Sequence, residues 1–220
     1  MSIAQRIRAL KAELPTGVEL VAVSKFHPVE AIAEAYETGQ RIFGESKVQE
    51  LLTKCEQLPQ DIRWHFIGHL QTNKVRRLVP HVDLIHSIDS LRLLQEVDKE
   101  AARCGRVVDV LLQIHIAQEE TKFGLSPREC KELLDLGTDT WPHVRICGLM
   151  GMGSNTDEAQ MVAAEFAEMH RLFTEVKATY FPDSPFFREL SLGMSHDYPL
   201  AIEAGSTLVR VGSLIFGDRH

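Results

Sequence analysis

No stretch of this 220-residue chain reaches the length of a membrane-spanning helix or of the apolar segment of a secretion signal, which argues for a cytoplasmic protein. Cysteine is sparse. Cys55, Cys104, Cys130 and Cys147 stand far apart with no Cys-x-x-Cys pair, a spacing that argues against disulfides or a zinc site and fits reduced thiols with no chemical task. Positive charge is in deficit: 24 lysines and arginines face 31 acidic residues, both signs dispersed, for a net charge of −7. The basic footprint that a nucleic-acid backbone or an anionic membrane requires is therefore missing, and a small-molecule partner is favoured. Linkers and low-complexity segments are missing too. With 44% hydrophobic residues the chain is expected to bury one sizeable core as a single domain over 1–220.

What is present is alternation. Short β-branched runs recur at Glu19 to Ser24, Arg41 to Gly44, Arg63 to Gly68, Leu84 to Ser87, Val108 to His115, Val144 to Met150, Arg188 to Leu192 and Thr207 to Val211. Between them lie amphipathic stretches at Val29 to Thr38, Lys47 to Gln57, Leu91 to Arg103, Pro127 to Leu136, Glu158 to Tyr180 and Leu200 to Ala204, with a helical segment over the first 13 residues. Eight strand and helix units behind a leading helix predict an α/β fold, a (β/α)₈ TIM barrel, with an open doubly wound sheet as the alternative.

In such barrels the working residues lie at the carboxyl ends of the strands. Lys25 closes the first apolar run, Gly44-Glu45-Ser46 the second, and His65 to His69 run out of the third. Met150 to Asn155 follow the sixth, Gly193-Met-Ser195 the seventh and Gly212-Ser213 the eighth. A lysine at the mouth of a low-dielectric site can lose its proton and attack a carbonyl. One that merely extends into water is the ordinary alternative. Ser195 and Gly212-Ser213 read as a phosphate cradle or as two ordinary strand-to-helix turns. Arg210, between Val209 and Val211 on a core strand, needs an acceptor inside the barrel, either a structural carboxylate or an atom of a ligand.

Three other motifs carry less. His65 and His69 have the spacing of helical zinc ligands but sit on a strand and its loop, with no glutamate after His65. The Gly148 to Gly153 stretch lacks the Lys-Ser/Thr of a P-loop and the first-strand placement of a dinucleotide fingerprint. Lys74, Arg76 and Arg77 read most simply as a solvated helix face.

The segments Leu20-Val-Ala-Val-Ser-Lys25, Phe43-Gly-Glu45 with Val48-Gln-Glu50, Trp64-His-Phe-Ile-Gly68, Leu190-Ser-Leu-Gly-Met-Ser195 and Val209-Arg-Val-Gly212 with Ile215-Phe-Gly217 resemble, in order and over nearly the whole chain, the pyridoxal phosphate homeostasis protein family. The resemblance implies the barrel of the fold-type III pyridoxal phosphate (PLP) enzymes, the group of alanine racemase. It also implies PLP held as an internal aldimine on Lys25, with its phosphate on Ser195, Gly212 and Ser213 and its pyridine nitrogen facing Arg210. Met150 and the His65 to Gly68 segment match the pocket wall. Ser46 stands where the family usually has asparagine, which puts a direct contact to the cofactor in question and leaves water as its replacement. His69 stands where the family often has Pro or Asn.

A guanidinium facing the ring nitrogen can only donate, so the ring stays unprotonated and draws electrons poorly. Racemases of this fold add a tyrosine from a further domain as a second acid/base. This chain has only Tyr36, Tyr180 and Tyr198, and Tyr198 alone follows a site segment. The implied function is intracellular PLP (vitamin B6) homeostasis without strong turnover, with apo PLP-dependent enzymes as recipients and a monomeric state. A low-activity amino-acid racemase is the first alternative. A barrel enzyme forming a substrate imine on Lys25, which would need a carboxylate beside the lysine, is the second.

Overall fold

The computed structural model describes residues 1–117 and 123–217; the last residue of the expected domain, His220, lies outside them. Eight parallel strands close into a barrel in chain order: β1 (Glu19–Val23), β2 (Ile42–Glu45), β3 (Arg63–Phe66), β4 (Leu84–Ile88), β5 (Val108–Ile114), β6 (Val144–Gly151), β7 (Glu189–Ser191) and β8 (Leu208–Val211). The helices are α1 (Ile3–Glu13), α2 (Val29–Tyr36), α3 (Val48–Cys55), α4 (Thr72–Leu78), α5 (Leu91–Cys104), α6 (Pro127–Leu134), α7 (Ala159–Tyr180), α8 (Tyr198–Glu203) and α9 (Ser213–Phe216). The expected barrel is the one found, and the open sheet is ruled out by the pairing of β1 with β8, Val21 opposite Arg210.

Local chemistry sets several of the ends. Ser2 and Gln5 form a capping box at α1, and Ser126 with Glu129 forms another at α6, where Pro127 occupies a first-turn position that needs no amide donor. Helix α4 was foreseen only as a basic face. Its seven residues carry two buried apolar side chains, Val75 and Leu78, too few to mark a period.

Side chains alternate along each strand, so every second residue faces the barrel axis. Inside, Val21, Ile42, Leu84, Leu111, Cys147, Met150 and Leu208 form an apolar layer. Outside, residues such as Leu20, Phe43, Trp64 and Leu149 join the larger core beneath the helices. The amino end of the barrel is ringed by ion pairs, Arg63 to Glu19 at 2.8 Å and Arg145 to Asp109 at 2.7 Å. Continuing the alternation of Glu19, Val21 and Val23 carries Lys25 to the opposite mouth.

Strand β6 breaks this alternation. Its register against β5 shifts between Val110 and Leu111, at Gly148, whose φ is +155° and where a Cβ would lie 1.7 Å from the carbonyl oxygen of Glu189. Only glycine fits there. The irregularity lets Cys147 and Met150, three residues apart, both face the interior. Met152 then faces the same way.

Candidate functional site

At the carboxyl end of the barrel lies a cavity of about 420 Å³ whose lining includes Lys25, Ser195, Arg210, Gly212 and Ser213. Five residues singled out from four separate places in the sequence thus meet. The lining also includes His27, His196, Ile67, Met152 and Met194, and it contains no carboxylate among the described residues. Cationic and hydroxyl groups with apolar walls suit an anion that carries a flat apolar body.

Each side chain is fixed by a strand end. The backbone N–H of Ser24 donates to Gly44 at 3.0 Å, extending the pairing of β1 with β2 by one residue, and Lys25 leaves the barrel wall just beyond. Arg210, 4% exposed, donates from Nη1 to the carbonyl and hydroxyl oxygens of Ser191 at 2.9 and 2.6 Å, and from Nη2 to the carbonyl of Gly151 at 2.9 Å. Its hydrogen-bond acceptors are neutral oxygens rather than a carboxylate. Burial lowers the guanidinium to about 10, which leaves it charged and donor-only at neutral pH.

The ends of β7 and β8 are tied together by the Gly212 amide, which donates to Ser195 Oγ at 3.2 Å. That leaves the hydroxyl proton of Ser195 for another acceptor. Helix α9 begins at Ser213; the N–H groups of Ile215 and Phe216 donate to the carbonyl of Gly212 at 2.9 Å, so the amides of Ser213 and Leu214 are the first-turn donors left over by the helix. A Cβ at Gly212 would crowd the carbonyl oxygen of Val23 at 3.2 Å, so glycine keeps this corner open.

The remaining predicted residues lie elsewhere. Met150 is 1% exposed in the interior layer, one inward step below Met152, which lines the cavity in its place. His65 is buried, its Nδ1 3.0 Å from Nε2 of His86, whose Nδ1 is 3.0 Å from Ser191 Oγ. Burial brings His65 down to about 3 and holds His86 well below the usual histidine range. Ser46 borders a separate cavity with Lys47, His69 and Lys74. His69 Nδ1 lies 3.1 Å from Asp89 and its ring stacks on Phe123, so His65 and His69 engage different partners.

Reading the sequence missed His27, His196 and Met152, although the alternation of Lys25 and His27 and the adjacency of His196 to Ser195 were available signals. The link from Arg210 through Ser191 to His86 was harder to see. It joins strands β8, β7 and β4, and no spacing within one segment reports it.

The family model described as alanine racemase, N-terminal domain, matches residues 1–220. The chain is 42% identical over 202 residues to the pyridoxal phosphate homeostasis protein of Aquifex aeolicus, covering 91% of this chain and 87% of that one. It is 40% identical over 229 residues to the pyridoxal phosphate homeostasis protein of Homo sapiens, covering 99% and 82%. The structure of PipY from Synechococcus elongatus with PLP bound superposes with a TM-score of 0.88 at 40% identity, covering 98% of this chain and 100% of that chain. An alanine racemase from Clostridium difficile, at 13% identity and a TM-score of 0.81 over 99% of this chain and 56% of that chain, shares the fold.

Proposed function

The chain belongs to the alanine racemase N-terminal domain family and, within it, to the pyridoxal phosphate homeostasis proteins, and from that premise we propose that it binds PLP reversibly and takes part in the homeostasis of that cofactor. The observation that carries the reading is that Lys25, Arg210 and the Ser195–Gly212–Ser213 corner share one cavity, with no carboxylate among its described lining residues.

PLP supplies an aldehyde and an electron-withdrawing ring. Lys25 would hold the cofactor through its amine, to which the aldehyde would supply a reversible covalent attachment with loss of water. Ser195, through its free hydroxyl proton, together with Gly212 and Ser213 takes the phosphate. Arg210, a donor only, would face the ring nitrogen and hold it unprotonated. Met150 supports the floor one step beneath Met152, and His65 acts on the ligand only through His86, Ser191 and Arg210. Ser46 is left outside the binding set.

Storage rather than turnover fits the rest of the structure. The hydroxyl of Tyr198 donates to Glu13 at 2.8 Å, that of Tyr36 to Asp61 at 2.6 Å and that of Tyr180 to Asp135 at 2.9 Å, so the tyrosines are engaged away from the cavity. The cofactor is released to apo PLP-dependent enzymes by a cytoplasmic, monomeric protein. A low-activity racemase is the competing reading, and amino-acid-dependent turnover by the loaded protein would favour it.

The test is an absorption titration with PLP. A band near about 420 nm that saturates, and that is lost in Lys25→Ala, is the expected result. A band of equal strength in Lys25→Ala would overturn the reading.

A further inference from the structure

Lys25 lies between two residues whose backbones are tied to α3. The carbonyl of Ser24 accepts from Lys54 Nζ at 2.8 Å, and the N–H of Phe26 donates to Glu50 Oε1 at 2.6 Å. Lys54 closes the clamp, donating at 2.7 Å to Glu50 Oε1 and at 2.7 Å to Glu45 Oε1. The hydroxyl of Ser24 donates to that same Glu45 oxygen at 2.6 Å.

Lys54 is 4% exposed and Glu45 fully buried. Burying such charges is costly, so the arrangement needs a return beyond the marginal stability of an ordinary surface pair. The backbone of Phe26 points to what that return is. Its φ is +68°, the one positive value at a non-glycine among the described residues. A residue with a side chain avoids that conformation unless something holds it, and here the Phe26 N–H is held by Glu50.

We propose that Glu50 and Lys54 are positioning residues that aim the amine of Lys25 at the carbonyl of its ligand, an inference that rests on the function proposed above. They act through the peptide groups on either side of Lys25 and touch no ligand. The phosphate corner and Arg210 lie at the ends of β7 and β8; β8 pairs with β1, but the hydrogen bonds of Glu50 and Lys54 go to Ser24, Phe26 and Glu45 and not to that corner. Losing the clamp should therefore impair bond formation by the amine and spare the contacts that hold ring and phosphate.

Two ligands separate these effects: PLP, which has the aldehyde, and pyridoxine 5′-phosphate, which has an alcohol in its place and cannot form the imine. In Glu50→Ala, where Lys54 keeps Glu45 as partner, PLP binding should weaken by about tenfold or more. Binding of pyridoxine 5′-phosphate should stay within about twofold of wild type. Glu50→Gln retains an acceptor at the same reach and should restore PLP binding. Unchanged PLP affinity in Glu50→Ala, equal losses for both ligands, or no recovery in Glu50→Gln would overturn the proposal. If the wild-type protein shows no Lys25-dependent preference for the aldehyde over the alcohol, the functional reading itself fails, and that appears before any α3 variant is made.

Discussion

Arg210 donates to both oxygens of Ser191, 2.9 Å to the carbonyl and 2.6 Å to the hydroxyl. A guanidinium cannot accept, so the hydroxyl proton of Ser191 is free to point at Nδ1 of His86, and Nε2 of His86 then donates to Nδ1 of His65. All the donors run in one direction across the barrel, with both imidazoles neutral. Ser191→Ala removes the shared atom and leaves a buried His86 nitrogen without a partner, so it should cost about 1–3 kcal/mol in urea unfolding. A change within about 0.5 kcal/mol would show that the chain of bonds contributes nothing.

The same pair of histidines sets an acid sensitivity. In the folded protein burial holds His65 at about 3 and His86 well below its usual value, whereas an exposed histidine titrates at 6.5. Between those values the unfolded chain binds more protons than the folded one. Stability is therefore full above about pH 6.5 and falls toward about pH 3, by up to ~1.4 kcal/mol per pH unit for each histidine. Glu45 and Asp83, raised by burial, act with the opposite sign, so a difference between variants isolates the histidine contribution. His65→Gln should show a shallower loss between about pH 6.5 and 5 in urea melts, and an equal slope would refute the assignment.

Backbone geometry makes a sharper contrast. Gly148→Ala places a methyl on the carbonyl of Glu189, whereas at Gly137, with φ +85°, a Cβ meets nothing within 4 Å. The first should lose more than about 4 kcal/mol or fail to fold, and the second about 1 kcal/mol. Similar melting temperatures for the two would contradict the account of β6.

Much of this was legible in the sequence, for reasons particular residues show. The eight apolar runs marked the strands because parallel barrel strands are buried on both faces. Lys25, Ser195, Gly212 and Ser213 stood out as polar or glycine residues just past those runs. Arg210 stood out as a charge within one. Met150 was harder to place because the irregularity at Gly148 shifts the alternation of β6, and nothing local reveals a shift set by crowding against Glu189 on the next strand. Lys54 looked like any lysine on an amphipathic helix. Its burial depends on how α3 packs over the ends of β1 and β2.

Burial also separates the cysteines. It pushes the thiols of Cys55, Cys130 and Cys147 up to about 12, while Cys104 is exposed. With a disulfide reagent at about pH 8, the native protein should lose one thiol rapidly, at Cys104, and the others only on unfolding. Rapid modification of Cys147 in the folded protein would contradict its place in the interior layer.

The central claim is that Lys25 is the residue that holds the cofactor. Borohydride reduction of the PLP-loaded protein, followed by peptide mapping, tests it most directly, because reduction fixes the ligand to whichever amine carries it. The account predicts a pyridoxyl group on Lys25 at close to one per chain. A pyridoxyl group spread over surface lysines, with Lys25 unmodified, would contradict it.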